Sequence, residues 1–374
     1  MHRVPPFALA LFALAAGAAL LRAQETPPAP RPRKRGAEIT PLAYSTDAST
    51  VRLVPLRQGK LPDLSKGDVI KPTCGRGVNP KTPCEVHWLP EGDLLVIRRG
   101  QTDGFQRYGR NAQGRMEELA QGTWPAGWHL AGSGDVDGDG WSDLLLTRKT
   151  AQGYADFEVL VALGESKGEF HFKRPAQRVA QRQWAAAFSM AELTGDEHMD
   201  LLFHVQPHGG SHPVTYFVIP GNAEGQFDLK RKQVWCKGPI GASASSDVVL
   251  DDFNTDGLSD LLLTPDDDVP DDGQSYLSLS TREGATPLRP SVDFAPTREG
   301  WGNDRGAYRI QTSDVDLNGT TDLIVWFDDW RQKGRWSVHV YRGDGKGGFG
   351  KGELLLQGAR DCPRMAWARF AAEF

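Results

Sequence analysis

Beyond its first two dozen residues the chain is a succession of short apolar runs separated by polar, glycine-rich turns. No long segment carries the 3.6-residue spacing of an amphipathic helix. One unit shows the pattern: an apolar run at 144–147, a second at 157–163, a Gly-rich turn, a third stretch at 170–179 and a fourth at 185–190. Runs of this length bounded by turn residues predict four strands in a unit of roughly 57 residues.

The units repeat. Four segments align without gaps: DVDGDGWSDLLL from Asp135, ELTGDEHMDLLF from Glu192, DFNTDGLSDLLL from Asp252 and DVDLNGTTDLIV from Asp314, their starts 57, 60 and 62 residues apart. A fifth copy survives only at its end, as DLLV from Asp93. About 21 residues after the last Asp of the motif comes a Gly-rich hairpin ending in an aromatic: GESKGEF to Phe170, GNAEGQF to Phe227 and GDGKGGF to Phe349, with a weaker version ending at Met116. A four-stranded unit repeated about five times is the pattern of a β-propeller, because each small sheet needs a neighbour on both faces to bury its apolar side chains. The predicted fold is all-β, a propeller of four-stranded blades, with five blades favoured and six or seven open.

These motifs resemble the FG-GAP/VCBS repeat family, the calcium-binding propeller repeats also found in the head of integrin α subunits. The resemblance spans about 86–374 and rests chiefly on the Asp motif. The C-terminal RMAWARF matches the strand that precedes each Asp motif, but no motif follows it. The last strand is therefore expected to complete the first blade. Residues 37–85 form an N-terminal extension that could hold a degenerate blade.

The Asp motif has the chemistry of a calcium loop. Calcium takes six to eight oxygen ligands, and side-chain oxygens at positions 1, 3 and 5, a main-chain carbonyl at 7 and an acid at 9 can surround one ion. The candidate ligands are Asp135, Asp137, Asp139, the Trp141 carbonyl and Asp143 in one loop. They are Asp252, Asn254, Asp256, the Leu258 carbonyl and Asp260 in another, and Asp314, Asp316, Asn318, the Thr320 carbonyl and Asp322 in a third. Gly140, Gly257 and Gly319 serve the turn. Packing such carboxylates together without a cation is repulsive. The copy with Glu192, Asp196 and Asp200 is a weaker site, with Glu197 where glycine is wanted. The copy at 85–93 (EVHWLPEGD) has lost the loop. Calcium is the one cofactor implied, in a structural role.

Composition narrows the class. The chain has 374 residues, 39% of them hydrophobic, which is ample for a sizeable core and excludes global disorder. A net charge of -5 lacks the basic footprint of a nucleic-acid binder, and no phosphate loop points to a nucleotide. Residues 1–23 read as a secretory signal peptide, with an uncharged run at 4–21 that could alternatively act as an anchor; no later stretch is long and apolar enough to span a membrane. Residues 24–36 read as a Pro-rich basic linker. Export predicts a secreted, periplasmic or cell-surface location. Four cysteines fit an oxidising compartment. Cys74 and Cys84 flank a Gly/Pro-rich loop and are the expected local disulfide; the pairing of Cys236 and Cys362 is left open.

Other features are less specific. His198, His204, His208 and His212 cluster in fifteen residues, which suits a polar loop, a transition metal or acid–base work. Trp124, Trp184, Trp235 and Trp301 recur in phase, as repeat packing or as platforms for sugar rings. The triplet Arg342-Gly343-Asp344 falls where the hairpin needs glycine and a turn-forming acid. The Asp loops and Gly-rich hairpins should share one face of the disc. The variable loops around 148–156, 206–213, 265–274 and 328–335, with His208, His212 and Trp330, should form the other, the expected ligand face. No catalytic residue is assigned. The leading function is an exported, calcium-stabilised binding module for an extracellular glycan or protein. A lyase-like enzyme acting on polysaccharide and a purely structural envelope protein are the alternatives.

Overall fold

Each run that follows an Asp loop is apolar at consecutive positions rather than alternate ones. Leu144, Leu145 and Leu146 are all completely buried, as are Leu94, Leu95, Val96 and Ile97. Such a strand has another sheet packed on each of its faces. The computed structural model of the chain describes residues 42–47, 49–54, 68–73, 75–79, 84–150, 157–172, 174–179, 186–196, 198–205, 214–238, 248–263, 274–294, 307–316, 318–329, 335–358 and 364–367.

The strands group by sheet in chain order. The first sheet takes β1 (Leu42–Asp47), β2 (Thr50–Val54) and β3 (Asp68–Ile70). The second is β4 (Glu85–Trp88), β5 (Leu94–Arg98), β6 (Gly104–Arg110) and β7 (Met116–Thr123). The third is β8 (His129–Gly134), β9 (Asp143–Lys149) and β10 (Phe157–Gly164), with β11 (Phe170–His171) and β12 (Gln177–Val179) both on β10. The fourth is β13 (Ala186–Ala191), β14 (Asp200–Val205), β15 (Thr215–Ile219) and β16 (Gln233–Lys237). The fifth is β17 (Val248–Asp251), β18 (Asp260–Leu263), β19 (Gln274–Ser278) and β22 (Arg289–Asp293); a small ribbon of β20 (Ser280–Thr281) and β21 (Gly284–Ala285) lies between β19 and β22 in sequence. The sixth is β23 (Ala307–Ser313), β24 (Asp322–Asp329), β25 (Arg335–Tyr341) and β26 (Glu353–Gly358). Finally β27 (Arg364–Trp367) returns to pair antiparallel with β1. All pairing is antiparallel, and one 3-10 turn, Leu229–Arg231, is the only helical element among the described residues.

The five repeat copies thus give five consecutive sheets between Glu85 and Gly358, and the chain ends supply a further one. The segment left open as a degenerate blade supplies three of its strands. The C-terminal strand completes a first blade as expected, but that blade is β1–β3 rather than the copy at 85–93, which has its own inner strand β4. Within the third sheet, the stretch read as one strand over 170–179 is two short ones. Pro175 falls between them, and it has no N–H for a ladder.

The inner strands stand around one axis. β4 packs on β27, β8 on β13, β13 on β17, β17 on β23, and β23 on β27. A central cavity of about 290 Å³ is lined from five of them, by His87, Ala131, Ser189, Val249 and Gln311 among others. Between sheets the apolar side chains form continuous layers. Leu53, Val51 and Ala43 meet Trp88 and Val96 between the first and second sheets. Leu95 and Ile97 meet Leu144 and Leu146 between the second and third. Similar layers join the third to the fourth, the fourth to the fifth and the fifth to the sixth.

Candidate metal centres

Each Asp loop joins the first and second strands of its sheet, and its first acid organises the turn. Asp135 Oδ1 accepts from the Gly138 and Asp139 N–H groups (2.8 and 3.1 Å), and its Oδ2 accepts from Gly140 (2.8 Å). Asp252 accepts in the same way from Asp256 and Gly257, and Asp314 from Asn318 and Gly319. The fifth residue of each loop accepts from the seventh: Trp141 to Asp139 at 2.8 Å, Leu258 to Asp256 at 2.9 Å, Thr320 to Asn318 at 2.7 Å. Gly140, Gly257 and Gly319 have φ of 83°, 88° and 86°, which explains glycine at the sixth position. Position 4 is also left-handed. Gly138 fills it in one loop and Thr255, at φ 62°, in another.

The turns gather the acids around a common point. Ligand oxygens of Asp135, Asp137 and Asp139 lie within 4.8 Å of one another, as do those of Asp314, Asp316 and Asp322. Asp137 Oδ1 and Asp316 Oδ1 are buried and accept no hydrogen bond, and neither does Glu192 Oε2 in the weaker copy. A buried carboxylate oxygen without a donor is costly unless a cation faces it. Burial, and then the neighbouring acids, push Asp137 and Asp139 above the usual carboxylate range. In the loop at 252–260, the Asn254 amide donates to Asp256 Oδ2 at 2.9 Å, which holds positions 3 and 5 together.

The ninth-position acid has a further task that its place in the motif does not announce. Asp143 is fully buried; its Oδ2 accepts from Val136 N–H and its Oδ1 from Gly164 N–H, both at 2.8 Å. Asp200 holds Leu193, Thr194 and Gly221; Asp260 holds Phe253 and Ser280; Asp322 holds Val315 and Gly343. This acid fastens its own loop to the Gly-rich hairpin, and that bond is the reason the two motifs keep a spacing of about 21 residues. It also shows that loop and hairpin lie on the same face. The glycine is required by close approach: a Cβ at Gly164 would sit 2.2 Å from Ser142 O, at Gly221 2.1 Å from Met199 O, and at Gly343 2.2 Å from Thr321 O. Burial dominates the electrostatics of these acids, pushing Asp143 and Asp260 to about 7 despite the two N–H bonds each accepts.

Hairpins also latch neighbouring sheets. Phe349 of the sixth packs edge-on to Phe253 of the fifth sheet's loop at 5.5 Å, and Gly347 N–H donates to Phe253 O at 2.9 Å. The Gln177 side chain of the third sheet bonds both the N–H and the C=O of Phe227.

Two arginines, neither evident from the motif, occupy acid centres. In the copy without a loop, Arg107 is completely buried, with Nε 2.9 Å from Asp93 Oδ2 and Nη2 against Glu91 Oε1. Glu91 also accepts from Ser142 of the adjoining loop. A guanidinium stands here among the acids, at the place in the unit where the other copies carry the full Asp loop. In the loop at 314–322, Arg342 Nη1 lies 3.2 Å from Asp316 Oδ2 and 3.3 Å from Asp322 Oδ2. The Arg342-Gly343-Asp344 triplet is therefore built into its own sheet: the arginine faces the acid loop and the glycine N–H serves Asp322.

Residues 135–203 match the family model for the FG-GAP-like repeat. The chain carries FG-GAP-like repeats. The matched FG-GAP-like segment begins at the first residue of the Asp loop of the third sheet and ends inside β14. No curated protein matches the chain. Among solved structures, the chain is similar to AofleA from Arthrobotrys oligospora at 11% identity, with 90% of this chain and 92% of that one covered and a TM-score of 0.46. It is also similar to an apocarotenoid oxygenase variant from Synechocystis at 10% identity, covering 91% and 76%, with a TM-score of 0.41.

Of the remaining sequence candidates, His208, His212, Trp330, Cys74 and Cys362 lie outside the described residues. Cys84 is buried, its N–H donating to Ser45 Oγ at 3.2 Å. His204 is a core residue packed on the Tyr216 ring at 5.3 Å. Trp124 is also core, its Nε1 donating to Trp128 O at 2.9 Å.

Proposed function

We propose that this chain is an exported, calcium-stabilised β-propeller that works as a binding module for an extracellular glycan or protein. The observation that carries the calcium part is the set of buried acid oxygens without donors at the centre of the Asp loops, Asp137 Oδ1 and Asp316 Oδ1. Oxygen-only donors in a turn suit a hard cation of calcium's size. In the loop at 135–143 the ion would be held by Asp135, Asp137 and Asp139 with Asp143 and the Trp141 carbonyl. In the loop at 314–322 it would displace the Arg342 guanidinium from Asp316. Bound calcium would neutralise the crowded carboxylates and fix the entry of each second strand, so metal binding and folding are one equilibrium. The apolar run at 4–21 supports export. A rigid ring that presents many loops supports recognition as the activity.

The test uses the chain without residues 1–23, applied to a broad glycan array and to pull-downs from the source envelope, in calcium and in chelator. Calcium-dependent capture of one glycan class or one protein is the expected result. A folded, calcium-loaded protein that retains neither would overturn the reading.

A further inference from the structure

The fifth and sixth sheets carry Asp loops of the same ligand charge. Asp252, Asp256 and Asp260 with Asn254 make one set, and Asp314, Asp316 and Asp322 with Asn318 the other. One side chain separates them. The residue just before the hairpin N–H that bonds the ninth-position acid is Leu163 in the third sheet, Pro220 in the fourth and Leu279 in the fifth; in the sixth it is Arg342. Arg342 Nη1 lies 3.2 Å from Asp316 Oδ2 and 3.3 Å from Asp322 Oδ2. These are two of the three acids whose oxygens gather within 4.8 Å of one another, and Asp316 keeps its other oxygen buried without a donor. Among the described residues no cationic side chain pairs in this way with Asp135, Asp137, Asp139, Asp252 or Asp256. Arg174, which acts on Asp137 from farther off, is bonded to the Glu224 carbonyl. Arg107, in the copy without a loop, is completely buried and so enclosed with its acids. Arg342 is 32% exposed, and a further acid, Glu353, already has Oε2 4.0 Å from its Nε.

We propose that Arg342 is a built-in competitor for calcium at the loop 314–322. It neutralises the acids of the metal-free loop, makes this loop the last of the three to fill, and moves to Glu353 and solvent when the ion enters. The proposal rests on the calcium reading above and adds the residue that sets a threshold within it. A dication and a guanidinium do not share Asp316 and Asp322, because calcium takes those oxygens at about 2.3–2.6 Å and like charges so close repel. Filling this loop therefore breaks an ion pair that the loops at 135–143 and 252–260 do not have. The ring gains a two-step response: two loops fill at low calcium, and a third answers a higher concentration by releasing a charged side chain beside the hairpin.

The test is calorimetric titration of the chelator-stripped chain with calcium chloride, on wild type, Arg342→Leu, Arg342→Lys and Asp316→Asn, with thermal melts of each in excess chelator and in saturating calcium. Leucine is what the third and fifth sheets carry at this place. Asp316→Asn should remove one calcium step, which assigns that step to this loop, and in wild type it should be weaker than those of the other two Asp loops. Arg342→Leu should tighten it about tenfold or more, ~1.4 kcal/mol, and leave the tighter steps unchanged. Arg342→Lys keeps a cation and should stay near wild type. The melts separate competition from a merely structural ion pair. Arg342→Leu should lower the melting temperature in chelator, where three carboxylates lose their counter-charge, and not in saturating calcium. Calcium steps identical in wild type and Arg342→Leu, or a melting penalty equal in both media, would overturn the competitor while leaving the calcium reading intact. Binding of no calcium by wild type and Arg342→Leu alike would overturn both.

Discussion

Asp137 and Asp143 lie six residues apart in one loop, and if the loop holds calcium as proposed, their removal should differ in chelator. Asp143 is fully buried and accepts two main-chain N–H bonds at 2.8 Å, one of them from the hairpin 21 residues on. Asp143→Ala leaves both donors buried and unpaired. At about 1–3 kcal/mol each, the loss is about 2–6 kcal/mol in chelator, and in calcium the loss of a ligand adds to it. Asp137 has a buried oxygen with no donor, beside Asp135 and Asp139. In chelator, Asp137→Ala removes a repulsive charge and loses no bond through that oxygen, so stability should hold or rise. In saturating calcium the same change removes a ligand; a 10- to 100-fold loss of affinity is about 1.4–2.7 kcal/mol. The assay is urea denaturation followed by tryptophan fluorescence on wild type and both variants, in calcium and in excess chelator. Equal costs for Asp137→Ala in the two media would refute the reasoning, as would an Asp143→Ala penalty that vanishes in chelator.

Three further outcomes follow from the geometry. Thr255 holds φ 62° at a position filled by Gly138 in the loop at 135–143, so Thr255→Gly should stabilise the chain by about 1 kcal/mol, read as a raised melting temperature. Arg107→Met leaves Glu91 and Asp93 without their cation and should cost about 3–5 kcal/mol, equally in calcium and chelator since the guanidinium stands where an ion would. In chelator, acids raised to about 7 such as Asp143 and Asp260 bind protons in the native state that the unfolded chain releases near 4. Metal-free stability should therefore rise as pH falls from 8 to 5, and melts in calcium should show the opposite trend as protons compete for the ligands.

The sequence carried the propeller plainly because two markers recur in fixed phase, and the structure explains the phase: the ninth-position acid is hydrogen-bonded to the hairpin glycine. The first sheet was harder to see for a physical reason. Its strands bury Ala43, Val51 and Leu53, but no Asp loop precedes them, and the inner strand comes from the far end of the chain. The acid loops were legible as oxygen sets, since their turns are local. Arg107 and Arg342 were not, because each reaches its acids across strands, 14 residues from Asp93 and 20 from Asp322.

If the Asp loops hold calcium as proposed, the stability of the ring depends on the ion. Scanning calorimetry of the chain without residues 1–23, in calcium and after exhaustive chelation, tests it most directly, with bound metal counted by elemental analysis on the same sample. Binding at a hundredfold over Kd is worth about 2.7 kcal/mol per site, so even one occupied loop should raise the melting temperature measurably. Two to three calcium ions per chain and a melting temperature that drops on chelation are the expected result. A chain that retains no calcium and melts identically in both media would contradict it.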